Sequence, residues 1–484
     1  MRLKNNILKD SYQIYFKLRY LLILLVFCFS SFINAQDKIQ INYADSLLGK
    51  TINGEQTREA IGNVSLTHNN VKIFCNRVLQ YFDQNKAELY GNVKVVKDTL
   101  TITAPNGTYY GNESKVICPN GSTLNDTKTT LKADYGIYYF LTDFASFKGN
   151  VKIYDNKTYT ITSDALDYFR SINKSYSRGN VKIVTDSATI YSDSLIYEKI
   201  IGLATAMSNV KIETASSNIF SDSLVYFENE KKSIADKHVK IIFLSDNATI
   251  YGNHGENYER RHYAFVKGKA NLVQIEKKKD TTHDTLIIFS DKMEAFRVKP
   301  EYYICRDSVK VIRADFLSSS QVGYYFKDIS EKGGVISLSI NPVVWKDSLQ
   351  VTGDSIYAFF QDDIDRIYVN KSAFAFQPND KYPDRFDQIS GIFMLMKFQE
   401  NQLDYIRVDT NAASIYFAYE EEKPSGANRA TGEIITLYFL DKQVEKVKIY
   451  GSPKGTYFPE NMIKINDLHL LGFKIRTDKP KRPD

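Results

Sequence analysis

Five aspartates recur in matching contexts along the chain: Asp134, Asp164, Asp193, Asp222 and Asp354. Stacked carboxylates could ligate calcium or move protons. Each of these follows Ser, Ala or Gly, however, where Asp satisfies turn amides. A catalytic site needs one copy made different from the rest, and an Asp repeated in unit after unit has the same role in each. The six histidines are scattered. His254 and His262 are the nearest pair, with Glu256 and Glu259 between them, and they read as a polar loop rather than a metal site. No phosphate-binding loop, paired-glycine dinucleotide fingerprint or His-x-x-x-His pair occurs. No cofactor is implied. A second ladder, Lys94, Lys152, Lys182, Lys211 and Lys240, suits a solvated face that discourages edge pairing. Its alternative is contact with anionic lipid headgroups.

The elements that carry these residues repeat. Gly-Asn-Val-Lys-Val at 91–95 returns as Gly-Asn-Val-Lys-Ile at 149–153 and 179–183, and in worn form at 208–212 and 237–241. With the copy at Gly62, the starts lie 29, 58, 30, 29 and 29 residues apart, the double gap holding a degraded copy at Asn120-Gly121. A period of this length marks a stacked repeat architecture. A second phrase follows about ten residues on, as in Thr160–Tyr168, Thr189–Tyr197 and Asn218–Tyr226. Both phrases alternate β-branched or aromatic residues with polar ones, which predicts strands. Gly-Asn reads as a turn. Val151 and Ile153 then share one face, and Lys152 the other. Ile161 and Leu166 have opposite parity, so burying both requires a bulge or corner near Ser163-Asp164.

Residues 1–35 read as a cleavable export signal, with Arg2, Lys4, Lys9, Lys17 and Arg19 ahead of an apolar run too short to span a bilayer comfortably. They hold five of the 63 basic and one of the 57 acidic residues, so the remainder has 58 against 56. That balance gives no support for a nucleic-acid partner. Cys75, Cys118 and Cys305 are odd in number and widely spaced, which is neither a disulfide framework nor a zinc site. The expected organisation is a signal (1–35), an N-terminal repeat domain (36–275), degenerate repeats or a connection (276–332), a C-terminal repeat region with insertions (333–470) and a tail (471–484). The charged, Pro-rich end from Thr477 is expected to fray.

Tandem Gly-Asn-Val-Lys-Ile units, each followed by Thr-Ile-x-Ser-Asp-x-Leu-x-Tyr behind an export signal, resemble the OstA/LptA family of periplasmic lipopolysaccharide transport proteins. The matching units are Gly91–Tyr110, Gly149–Tyr168, Gly179–Tyr197 and Ser208–Tyr226. The resemblance implies an all-β, partly open, twisted β-jelly-roll stack with an apolar groove that shields lipid A acyl chains on the way to the outer membrane. It implies partners too: lipopolysaccharide, and other transport proteins joined edge to edge. The positions carried over as groove lining are Val93, Val95, Val151, Ile153, Val181, Ile183, Val210, Ile212, Val239 and Ile241, with Leu166, Leu195 and Leu224 from the second phrase. The implied location is the periplasm, with outer-membrane association as a variant. This chain is far longer than the small members of the family.

Other classes remain open at this point. A polysaccharide-binding or -cleaving β-helix accommodates the repeats and the 34 tyrosines, although no acid/base cluster is visible. An outer-membrane barrel fits alternating aromatic strands. A structural envelope scaffold without lipid cargo fits as well.

Overall fold

The computed structural model describes residues 37–155, 158–245, 247–277, 283–327, 333–440, 443–464 and 468–482. The expected export signal lies outside them. Among the described residues no α-helix forms. Apart from three single-turn 3₁₀ segments, at Arg170–Ile172, Glu259–Arg261 and Glu460–Met462, the ordered elements are strands. The chain divides at Val151/Lys152 into two compact units.

In the first unit, each strand pairs antiparallel with its sequence neighbour, from Glu55–His68 through Val71–Tyr81 and Lys86–Lys97 to Leu100–Tyr110. One cross-strand row runs Leu66, Ile73, Val95, Ile102, Leu124, Leu131, all buried. The degraded copy at Asn120-Gly121 is a rung whose strand is interrupted at its corner. Lys115–Cys118 and Ser122–Asp126 both pair with Leu100–Tyr110. At the other side, Gln40–Tyr43 and Ser46–Ile52 both pair with Glu55–His68 and leave Tyr43, Leu47 and Leu48 exposed.

The second unit continues the same rule from Tyr159–Phe169 through Lys174–Thr185, Ala188–Glu198, Leu203–Thr214, Ser217–Phe227, Lys232–Phe243 and Ala248–Tyr258. A repeat is thus two bent strands of 11 or 12 residues. The bend lies where the parity argument puts it, with register breaking between Thr162 and Ala165. Gly-Asn is not a hairpin turn. It sits inside the strand Lys174–Thr185 as the facing half of that bulge, with φ of +74° at Gly179 and +45° at Asn180. The hairpin turns are elsewhere, at 170–173 and 186–187.

The corner explains the recurring Asp. Asp164 Oδ2 accepts from Asn180 Nδ2 at 2.8 Å; Asp134–Asn150 (2.7 Å), Asp193–Asn209 (2.8 Å) and Asp45–Asn63 (3.1 Å) repeat the bond. The carboxylate also packs against the glycine, so that a Cβ on Gly179 would lie 2.3 Å from Asp164 Oδ2. Gly179→Ala is therefore expected to cost about 1–3 kcal/mol, from the left-handed backbone and the displaced carboxylate together. Gly455→Ala, where a Cβ meets nothing within 4 Å, should be near neutral. Urea midpoints of the two variants check this.

Parts of the strands Ile364–Pro378, Gln402–Glu420 and Lys423–Leu440 are covered on their outer side as well. Phe374 and Phe376 continue the outer cross-strand rows that carry lysine and polar residues earlier, and they are 5% exposed. What covers them is the extended segment from Leu468, which packs Leu468 and Leu470 against Phe374, Phe376, Ile415, Phe417 and Ala427. Two buried amides fix it. Gln388 donates to Leu468 O (3.4 Å) and accepts from Leu470 N (2.9 Å). Gln350 donates to Lys474 O (2.8 Å) and accepts from Arg476 N (2.9 Å). The expected fraying from Thr477 is not found as far as Arg482. Asp478 pairs with Arg476 at 2.8 Å, and Pro480 is buried.

Candidate functional site

The interior begins as a register pattern. In the second unit one cross-strand row reads Ile161, Ile183, Ile190, Ile212, Ile219, Ile241, Ile250, Leu272, Ile288, Val311. Every member is at most 1% exposed. At about 4.8 Å per strand, ten aliphatic side chains in line cover about 43 Å without a polar break. Beyond the corner a second row runs Leu166, Ser177, Leu195, Ala206, Leu224, Ala235, Gly255, Val266, mixing large residues with small ones.

The two rows belong to walls that face each other. A Cβ on Gly255 would lie 2.9 Å from Val239 Cγ1 and 3.4 Å from Ile241 Cδ1, across the interior. Small residues in one wall thus admit the branched residues of the other, as close packing requires. At the margin away from the corner, side chains join the walls. Ser187 Oγ lies 2.9 Å from Tyr226 Oη, and Asn257 Nδ2 donates to Ser217 Oγ at 3.3 Å. Lys199 Nζ donates to Asp155 Oδ2 at 2.8 Å, and Arg297 donates to Ser245 Oγ at 2.7 Å. Burial raises the Tyr226 hydroxyl to about 12, so it stays a neutral hydrogen-bonding group at physiological pH.

All thirteen expected lining residues are buried. Val93, Val95 and Val151 lie in the first unit, at 2%, 0% and 1% exposure. The other ten lie in the second, between 0% and 2%. Lys94, Lys152 and Lys182 on the opposite parity are exposed, and Lys211 and Lys240 half-buried. Their row interleaves with rings that the sequence reading did not pair with them: Lys182, Tyr191, Lys211, Phe220, Lys240, Tyr251. Each ammonium sits 5.2–5.8 Å from a ring centroid. A further outer row stacks Tyr258, Tyr263, Phe296, Tyr302 and Phe326, with successive centroids 5.7, 5.1, 4.6 and 5.5 Å apart. These rows tie strands together on the solvent side.

The histidines do not converge. His254 bonds Asp236 at 2.6 Å, His238 bonds Asp222 at 3.0 Å, and His262 closes the turn after Glu259–Arg261. Among the described residues no three His, Cys, Asp or Glu side chains form a metal-holding group. Cys75, Cys118 and Cys305 are free and buried, which pushes their thiols up to about 11, 11 and 12. No helix among the described residues is long and apolar enough to cross a membrane.

Register and burial define an all-β tandem-repeat protein, each unit of which carries its own row of buried aliphatic residues. A family model described as OstA-like protein matches residues 36–193 and 142–253, the stretch with the most regular repeats. Over that stretch, residues 36–253, the chain is OstA-like. No curated protein matches it significantly.

Proposed function

We propose that this chain is a non-enzymatic lipid-transport protein of the periplasm, sheathing the acyl chains of lipopolysaccharide between its two walls. The family points to lipopolysaccharide or lipid transport. The observation that carries the reading is the unbroken aliphatic row from Ile161 to Val311. An acyl chain laid along it meets only methyl and methylene groups, each buried CH₂ gaining about 0.8 kcal/mol. The sugar headgroup stays in water.

With the walls in contact, entry requires them to part. The latched margin is the place, because its joins are single side-chain bonds worth about 0.5–1.5 kcal/mol each, more where a charge takes part. The corner side is held by continuous backbone. Transfer to or from other transport proteins would use strand edges. Gln443–Tyr450 and Lys454–Pro459 pair with Lys423–Leu440, and Val447, Tyr450 and Tyr457 are exposed.

A photo-crosslinking residue at Ile212 should trap lipopolysaccharide in cells, and one at Lys211, on the other face, should not. Tethering Ser187→Cys to Tyr226→Cys with a short thiol crosslinker should abolish the Ile212 adduct. Equal adducts at 211 and 212, or none at 212 in a folded protein, would overturn the reading.

A further inference from the structure

The segment after Leu468 is clamped and yet presents apolar side chains outward. Leu471 is 98% exposed and Ile475 53%. Leu471 does not reach this state by being loose. Its neighbour Leu470 is buried and bonded through its N–H to Gln388. Phe473 N donates to Leu470 O at 3.1 Å, closing a turn in which Gly472 takes φ +96°. The Phe473 ring packs on Phe376 (5.0 Å), Phe386 (5.1 Å) and His469 (4.0 Å). Gln350 then holds the backbone on either side of Ile475. The turn is a fixed tip, and its leucine points away from the protein.

The charge along the tip is predominantly basic. Between Leu471 and Arg482 there are five basic residues and one acidic residue. Lys474, Lys479, Lys481 and Arg482 are exposed. The carboxylates beside them are already engaged, Asp478 with Arg476 and Asp347 with Lys346. An isolated leucine prong flanked by lysines offers no broad apolar plate for a protein partner. It matches an interface that is anionic at its surface and apolar a few ångströms below.

We propose that the Leu471–Arg482 segment docks this protein on an anionic phospholipid bilayer, with Leu471 and Ile475 entering the headgroup boundary and the lysines on lipid phosphates. The strap's rigidity matters, since a tip already held out spends little ordering entropy on binding. The surface is separate from the aliphatic interior, and its test needs no lipopolysaccharide. Failure here leaves the transport reading standing, and the reverse holds too.

The test uses protein purified from the cell envelope and mixed with vesicles. One set contains phosphatidylethanolamine with phosphatidylglycerol, the other phosphatidylcholine alone. The wild type should sediment with the first set and be released by salt. Leu471→Ser with Ile475→Ser should lower the partition at least tenfold. Lys474→Ser, Lys481→Ser and Arg482→Ser together should do the same on the anionic vesicles. All five side chains are exposed, so the far-ultraviolet strand signal should not change. A polarity-sensitive dye on Leu471→Cys should shift to the blue on anionic vesicles; the three described native thiols are buried. Wild type that stays in solution, variants that sediment as well as wild type, or equal binding to phosphatidylcholine overturns the proposal.

Discussion

Ile183→Ala is expected to lower the stability of the second unit by about 2–5 kcal/mol. Ile183 is 0% exposed and lies in register between Ile161 and Ile190, so its loss leaves a cavity that both neighbouring strands border. Lys182→Ala, one residue away on the other face, removes a half-solvated contact with the Tyr191 ring at 5.2 Å. It should cost about 0.5–1 kcal/mol. Ile183→Asp goes further, placing an unpaired carboxylate in a dry interior, and should unfold the rungs around it at neutral pH. Urea denaturation followed by circular dichroism gives the ranking, which a one-residue shift of register would reverse. Because stacked repeats couple to their neighbours, the effect should fade away from the substituted rung, as hydrogen exchange would report.

Asp387→Asn is expected to stabilise the protein above pH 7 and to remove a decline between pH 4 and 7. Burial pushes the Asp387 carboxyl up to about 6, and the bond it accepts from Phe417 N at 2.9 Å offsets this only in part. An unfolded Asp titrates near 4. The folded state therefore holds the proton more tightly, and this contribution favours folding at low pH. It is lost as pH rises through about 6. At pH 7.5 the charged, poorly solvated group costs at most about 3 kcal/mol. Asn keeps the carbonyl that Phe417 N–H needs and carries no charge to desolvate. Urea midpoints across this range should fall for the wild type relative to the variant. Parallel curves would show that the carboxyl is better solvated than its position implies.

The parts of this fold that were legible came from period and parity. The 29-residue spacing announced the stack, and the opposite parities of Ile161 and Leu166 located the corner. Gly-Asn reads as a turn from sequence, whereas the structure places it in a mid-strand bulge at positive φ. A mid-strand bulge and a hairpin turn ask for the same residues, and only the long-range partner, Asp164 against Gly179-Asn180, tells them apart. The latches at the margin, such as Ser187 with Tyr226, join residues 39 apart, a separation that no local pattern encodes. The outer core left a usable signal. Ala373-Phe374-Ala375-Phe376 is apolar on both parities, which means a strand covered on both faces. The charged, Pro-rich end pointed the other way, because its contacts are made by Gln350 and Gln388 rather than by its own composition.

Pairing between sequence neighbours has a consequence for how the chain is made. From Tyr159 to Phe326 each strand bonds to the next in sequence. Each new strand closes only a short loop, so the entropy of closure is small and nearly the same at every step. A hairpin formed early can serve as a template for the next segment as it arrives, without waiting for the distant end of the chain. Such a protein can lengthen or shorten by whole rungs while the rest keeps its register, and its reach becomes a matter of counting.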